Sequence, residues 1–242
     1  MHQLPFTALL NQLLAGPVNS MLAALGIHVA HPQAPIANFV AMQIFVFLFA
    51  LLLFVLLRVT LSVDKPNFIQ HLFEGIHSFI ADQGREIIGH HHKKYDSYLA
   101  ALGIFILFSN LIGLVPAFES PTSFPYVPFG CALVSWVYYH VVGLKMNGFR
   151  YFLHFFGPVW WLAFLIFPIE IFSHLARVMS LTIRLFANMF AGEMVTMAFF
   201  SLIPLGLPIA FIGLHAMVAF VQAYIFVLLP MVYIAEATAH EH

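Results

Sequence analysis

Apolar residues along this chain fall into long blocks separated by short polar stretches. Residues 36–57 form the first block, with Asn38 and Gln43 as its polar positions. Residues 98–115 form the second, ended by Pro116, and 129–144 the third. A run from 157 to 202 follows, then a break at Pro204-Leu-Gly-Leu-Pro208 and a last apolar run to about Ile234. A helix needs about 20 apolar residues to cross a bilayer, so each block reads as a membrane helix. The segment from Arg58 to Asp96 has a different rhythm. Phe68, Leu72, Ile76, Phe79 and Ile80 recur at helical spacing with Gln70, Glu74 and His77 between them, which predicts an amphipathic helix lying at the interface. Residues 1–35 are interrupted by Gly16-Pro17, Pro32 and Pro35, leaving room for one short amphipathic helix at about 5–14.

Composition sharpens this picture. Of 242 residues, 62% are hydrophobic and only 8% charged, against about 25% charged in soluble domains. The pattern predicts an all-α integral membrane protein, since helices satisfy their own backbone in lipid and no alternating strand pattern competes. It is expected to form one membrane domain over 1–242: an outer segment (1–35), a first span (36–57), a cytoplasmic amphipathic region (58–97), a two-span hairpin (98–144) and a long, strongly tilted helical hairpin (157–236). The first ten residues lack a basic region and a clear cleavage site, so no signal peptide is expected. The single Cys131 excludes an internal disulfide framework and a CxxC site. No basic run points to nucleic acid. Seven of the nine Lys and Arg residues lie in 58–97 and 145–156, two stretches separated by two crossings. The positive-inside rule makes that face cytoplasmic, with the amino terminus outside, the carboxy terminus inside and five crossings in all.

The last two runs pose a geometric problem. A 46-residue helix would be roughly 69 Å long, against a hydrocarbon core of about 30 Å. Either Pro168 breaks it, or the helix tilts by roughly 60°, which places Arg184 near midplane. Arginine keeps its proton at any biological pH, and a charge at that depth costs roughly 2.5 to 3.5 kcal/mol on insertion scales. Glu170, Arg177 and Arg184 recur every seven residues and share one helix face, flanked by Ser180 and Asn188. Glu193, nine residues beyond Arg184, points to the opposite side. Counting eleven residues either way from Pro204 brings Glu193 level with His215, and Arg184 falls near Gln222. Two titratable regions on either side of an unprotonatable charge suit a proton path built from two half-channels. Ser173, Ser180 and Asn188 are equally compatible with simple bonds between packed helices. Arg177 either belongs to that stripe or snorkels to the cytoplasmic surface. His174 reads as a packing residue, and His90-His91-His92 as a solvated loop. A metalloenzyme is disfavoured by the absence of HExxH, and a secondary transporter by the absence of an inverted repeat.

At these residues the chain resembles the a subunit of the membrane sector of F-type ATP synthases, over about residues 30–238. The stretch RLFANMFAGE (residues 184–193) carries the most specific match. SNLIGLVP (109–116), the ESPTS loop (119–123) and LHAMVAFVQAYIFVLLPMVYIAEA (214–237) support it. Val178 departs from the family, where a proline commonly follows the basic residue. The resemblance implies a non-catalytic stator subunit in a bacterial inner membrane. Its partners would be a c-subunit ring, a b-subunit peripheral stalk and, through the stalks, a soluble catalytic head. It also implies an outer half-channel lined by Asn188, Glu193, His215 and Gln222, and a cytoplasmic one near Ser180, Ser173 and Glu170. Arg184 would face the ring carboxylate between them, and Arg177 is a further candidate for the proton path. No phosphate-binding loop occurs, and no cofactor is expected.

Overall fold

The computed structural model describes residues 4–26, 31–62, 66–115, 118–148, 151, 160–202 and 207–238. These contain seven α-helices: α1 (Pro5–Ala24), α2 (Asn38–Thr60), α3 (Phe68–Ile87), α4 (Lys93–Ile112), α5 (Tyr126–Asn147), α6 (Ala163–Leu202) and α7 (Leu207–Thr238). Short 3-10 turns occupy Pro121–Ser123 and Trp160–Leu162, and no strand occurs among the described residues. Helices α2, α4, α5, α6 and α7 are long and apolar enough to cross a membrane, whereas α3 is not. The chain is an all-α membrane protein with five candidate crossings. The expected turn at Pro204–Pro208 and the start of the long run at 157–159 fall largely or wholly outside the described residues.

Three expectations need correction. First, α1 is twice as long as the pattern suggested, because Pro17 lies inside it without ending it. Asn11 ties α1 to the start of α2: its Nδ2 donates to the Ile36 carbonyl at 3.1 Å and its Oδ1 accepts from the Ile36 N–H at 3.0 Å. Leu10, Ile36 and Ala41 are buried around that link. Second, α4 begins at Lys93, five residues before the apolar block. Asp96 sits in its first turn, where a carboxylate suits the helix dipole, and binds His92 Nδ1 at 2.9 Å. His92 is therefore buried, not solvated, while His90 and His91 remain exposed. Third, the apolar stripe of α3 is divided. Ile76 and Ile80 pack into the bundle, whereas Phe68, Leu72 and Phe79 are exposed. The helix folds back on α4, and the lack of a side chain at Gly84 leaves space for Asp96 and His92.

Helices α4 to α7 form the core. One buried cluster gathers Tyr95, Leu99, Tyr139, Val142, Met231 and Ile234. Another gathers Ile106, Leu181, Leu185, Met189, Ala219 and Phe226. Gly103 permits close approach of α4 to α7, because a Cβ there would meet Val227 Cγ2 at 2.7 Å. By contrast, α2 leaves Phe47, Leu48, Phe49, Leu51 and Leu52 exposed, as a lipid-facing helix does.

Pro168 does not break α6, which runs 40 residues, or about 60 Å. Three contacts show that α6 and α7 are antiparallel: Gly192 against His215, Asn188 against Gln222 and Arg177 against Glu236.

Candidate functional site

The polar residues of this hairpin occupy three levels. The first lies towards the end where α6 gives way to α7. Glu193 and His215 line one cavity of about 480 Å³ with Gly113, Leu114, Phe118 and Thr196. The Glu193 carboxyl stands beside the Ser123 hydroxyl. His215 is buried, with no hydrogen-bond partner at Nε2 among the described residues, and its ring lies against Gly192. The predicted levelling of Glu193 with His215 thus places both in one cavity without an ion pair between them. Loop 118–123 walls the cavity because it is clasped to the helices. Ser120 Oγ donates to the Ser109 carbonyl at 2.8 Å, Thr122 Oγ1 donates to Asn110 Oδ1 at 2.6 Å, and Asn110 Nδ2 donates to the Ala219 carbonyl at 3.2 Å.

The middle level holds Arg184 and Asn188. Asn188 Nδ2 donates to Gln222 Oε1 at 2.8 Å. Gln222 therefore meets Asn188, one turn from the arginine that counting from Pro204 assigned to it. Arg184 is partly exposed and reaches along its own helix to Ser180 Oγ at 3.3 Å. Among the described residues it forms no ion pair.

At the third level Arg177 is paired with Glu236 of α7. Its Nη1 and Nη2 grip Glu236 Oε2 and Oε1 at 2.7 and 2.9 Å, and its guanidinium carbon stands 4.7 Å from the Tyr233 ring centroid. Glu170 Oε1 lies 3.3 Å from His174 Nε2, and Tyr139 Oη hydrogen-bonds His174 Nδ1 at 2.8 Å. His174 thus has a polar neighbour at each ring nitrogen, and packing alone does not describe it. Ser173 is half-buried on the same helix.

Sequence reading missed Glu236 and Tyr139, and it singled out the 119–123 loop without placing it at the cavity. Glu236 had a usable signal: an acid in the last turns of an apolar helix requires a partner. Tyr139 had none, because nothing in the chain around it distinguishes an inward tyrosine from an interfacial one. No group of three His, Cys, Asp or Glu residues able to hold a metal occurs among the described residues.

The sequence matches the family described as ATP synthase A chain over residues 39–235. It is 60% identical over 242 residues to ATP synthase subunit a of Koribacter versatilis, covering 100% of this chain and 99% of that protein. It is 51% identical over 233 residues to ATP synthase subunit a of Solibacter usitatus, covering 96% and 99%. A third relative, ATP synthase subunit a of Syntrophobacter fumaroxidans, is 42% identical over 236 residues, covering 93% and 97%. The match spans the polar residues of α6, His215 and Gln222 of α7, and the loop that walls their cavity, and the chain belongs to the ATP synthase A chain family.

Proposed function

We propose that this chain is the stator half of a rotary proton motor, with two offset half-channels that meet at Arg184. Membership of the family makes it a membrane subunit of the ATP synthase, serving proton translocation together with the c-ring. The observation that carries the finer reading is the contrast between two arginines of one helix. Arg177 is gripped by a carboxylate and Arg184 is not. An unpaired guanidinium among apolar residues is costly, and a carboxylate brought by a partner would offset that cost. A carboxyl group on the ring, desolvated in lipid, holds its proton; beside Arg184 it would ionise and release it.

Protons would enter through the cavity of Glu193 and His215 and pass Asn188 and Gln222 to the ring. After a turn of the ring they would leave near Ser180, Ser173 and Glu170. Arg184 blocks the short cut. At about 60 Å, α6 matches a 30 Å hydrocarbon core if tilted by roughly 60°, which lays a long face along the ring. The Lys and Arg of the 58–97 and 145–156 stretches support a third level at the cytoplasmic side of a bacterial inner membrane, with the amino terminus outside. A b-subunit stalk and the soluble head complete the assembly, and ATP chemistry belongs to that head.

The test is ATP-driven proton pumping in vesicles carrying the assembled complex. Arg184→Ala should abolish pumping and open a passive leak. Arg184→Lys should fail substantially as well, because lysine is a flexible point charge that deprotonates when desolvated. Near-normal coupled pumping by Arg184→Ala would remove the reading.

A further inference from the structure

We infer that Glu236 is a positioning residue whose task is to keep Arg184 the one free guanidinium on its face of α6. The inference rests on the function proposed above. Arg177 and Arg184 stand seven residues apart, about two turns and 10.5 Å along the axis, and therefore project on one side of the helix. Neither can discharge itself by losing a proton. Helix α6 alone thus offers a passing carboxylate two attractive stops, one of them displaced towards the cytoplasmic side.

The structure removes the second stop. The bidentate grip on Arg177, at 2.7 and 2.9 Å, matches the fork of the guanidinium to both carboxylate oxygens, the strongest form of such a pair. Tyr233, one turn before Glu236 on α7, supplies its ring face 4.7 Å from the same guanidinium. The Arg177 side chain keeps 19% of its surface exposed, so it is occupied and largely covered, while among the described residues the Arg184 guanidinium has the Ser180 hydroxyl as its hydrogen-bond partner and no carboxylate. Glu236 acts through Arg177 and touches no transported proton.

A structural alternative is that the pair merely staples the cytoplasmic end of the hairpin. The two roles separate in a double variant. In Glu236→Gln the staple is weakened and Arg177 is freed; adding Arg177→Gln leaves the staple broken but removes the free charge. Pumping per assembled complex should fall roughly tenfold in Glu236→Gln, the scale of one charge-assisted contact. The Arg177→Gln/Glu236→Gln pair should recover much of that loss. A double variant no better than Glu236→Gln would overturn the inference. So would normal pumping in Glu236→Gln, or its failure to assemble at all. Arg184→Ala run in parallel keeps the levels apart. If it still pumps, the motor reading itself is gone; if it does not and Glu236→Gln is normal, only the role of Glu236 fails.

Discussion

The His215 ring packs so closely on the backbone of Gly192 that a methyl group there would lie 2.9 Å from Cδ2 and Nε2 and 3.1 Å from Cε1. Small residues let membrane helices approach in this way. Here the missing side chain also sets where an imidazole sits within a cavity it shares with Glu193.

Gly192→Ala should therefore push the ring from its place. Overpacking of this kind typically costs about 1 to 3 kcal/mol, enough to lower the yield of assembled complex without abolishing it. Proton flux per assembled complex, measured in vesicles, should fall as well, because the displaced imidazole no longer faces the same cavity. Unchanged flux would show that the ring moves aside freely and that its position is not critical.

Much of this site was legible because the bilayer imposes strict rules. Span number followed from block lengths, and Arg184 stood out because a permanent charge in an apolar run needs a reason. The register of the hairpin was less accurate. Counting from Pro204 assumes that two helices pair residue for residue, yet Asn188 with Gln222 and Arg177 with Glu236 lie progressively off that count. Helices that cross at an angle do not keep one constant register.

Pairings outside the hairpin were harder to read. His92 looked like part of a solvated run, yet it is buried against Asp96, one turn on. Tyr139 meets His174 only because α5 packs on α6. Pro17 and Pro168 each seemed able to end a helix, yet both helices run through them.

The clasp under loop 118–123 gives a second prediction. Thr122 is fully buried and donates to Asn110 Oδ1 at 2.6 Å, while Asn110 reaches on to the Ala219 carbonyl. Thr122→Val keeps the shape, removes the hydroxyl and leaves a buried acceptor without that donor, at a cost of about 1 to 3 kcal/mol. The detergent-solubilised complex should unfold at lower temperature, and Thr122→Ser should restore most of the loss. Equal thermal stability in Thr122→Val would show that water replaces the hydroxyl without cost.

Glu193 raises the remaining question, because one carboxylate could serve as a proton inlet or as a structural tie. Its surroundings favour the inlet. It lines a cavity of about 480 Å³, room for several waters at about 30 Å³ each. His215 lines the same space, and the two form no ion pair. A structural tie would require direct contact, so the geometry weakens that alternative before any mutation is made. Glu193→Gln keeps the size and the hydrogen bonding of the side chain but cannot titrate. Complexes should assemble in normal amounts, and flux should drop by about a hundredfold or more, the scale of losing a positioned proton-transfer group. Exchanging the two residues, Glu193→His with His215→Glu, should recover more flux than either single change, because the cavity still holds one acid and one imidazole. The structural tie predicts the reverse for Glu193→Gln: poor assembly, with normal flux through the complexes that form. Flux per assembled complex decides between them, and an undiminished value in Glu193→Gln would take this residue out of the proton path.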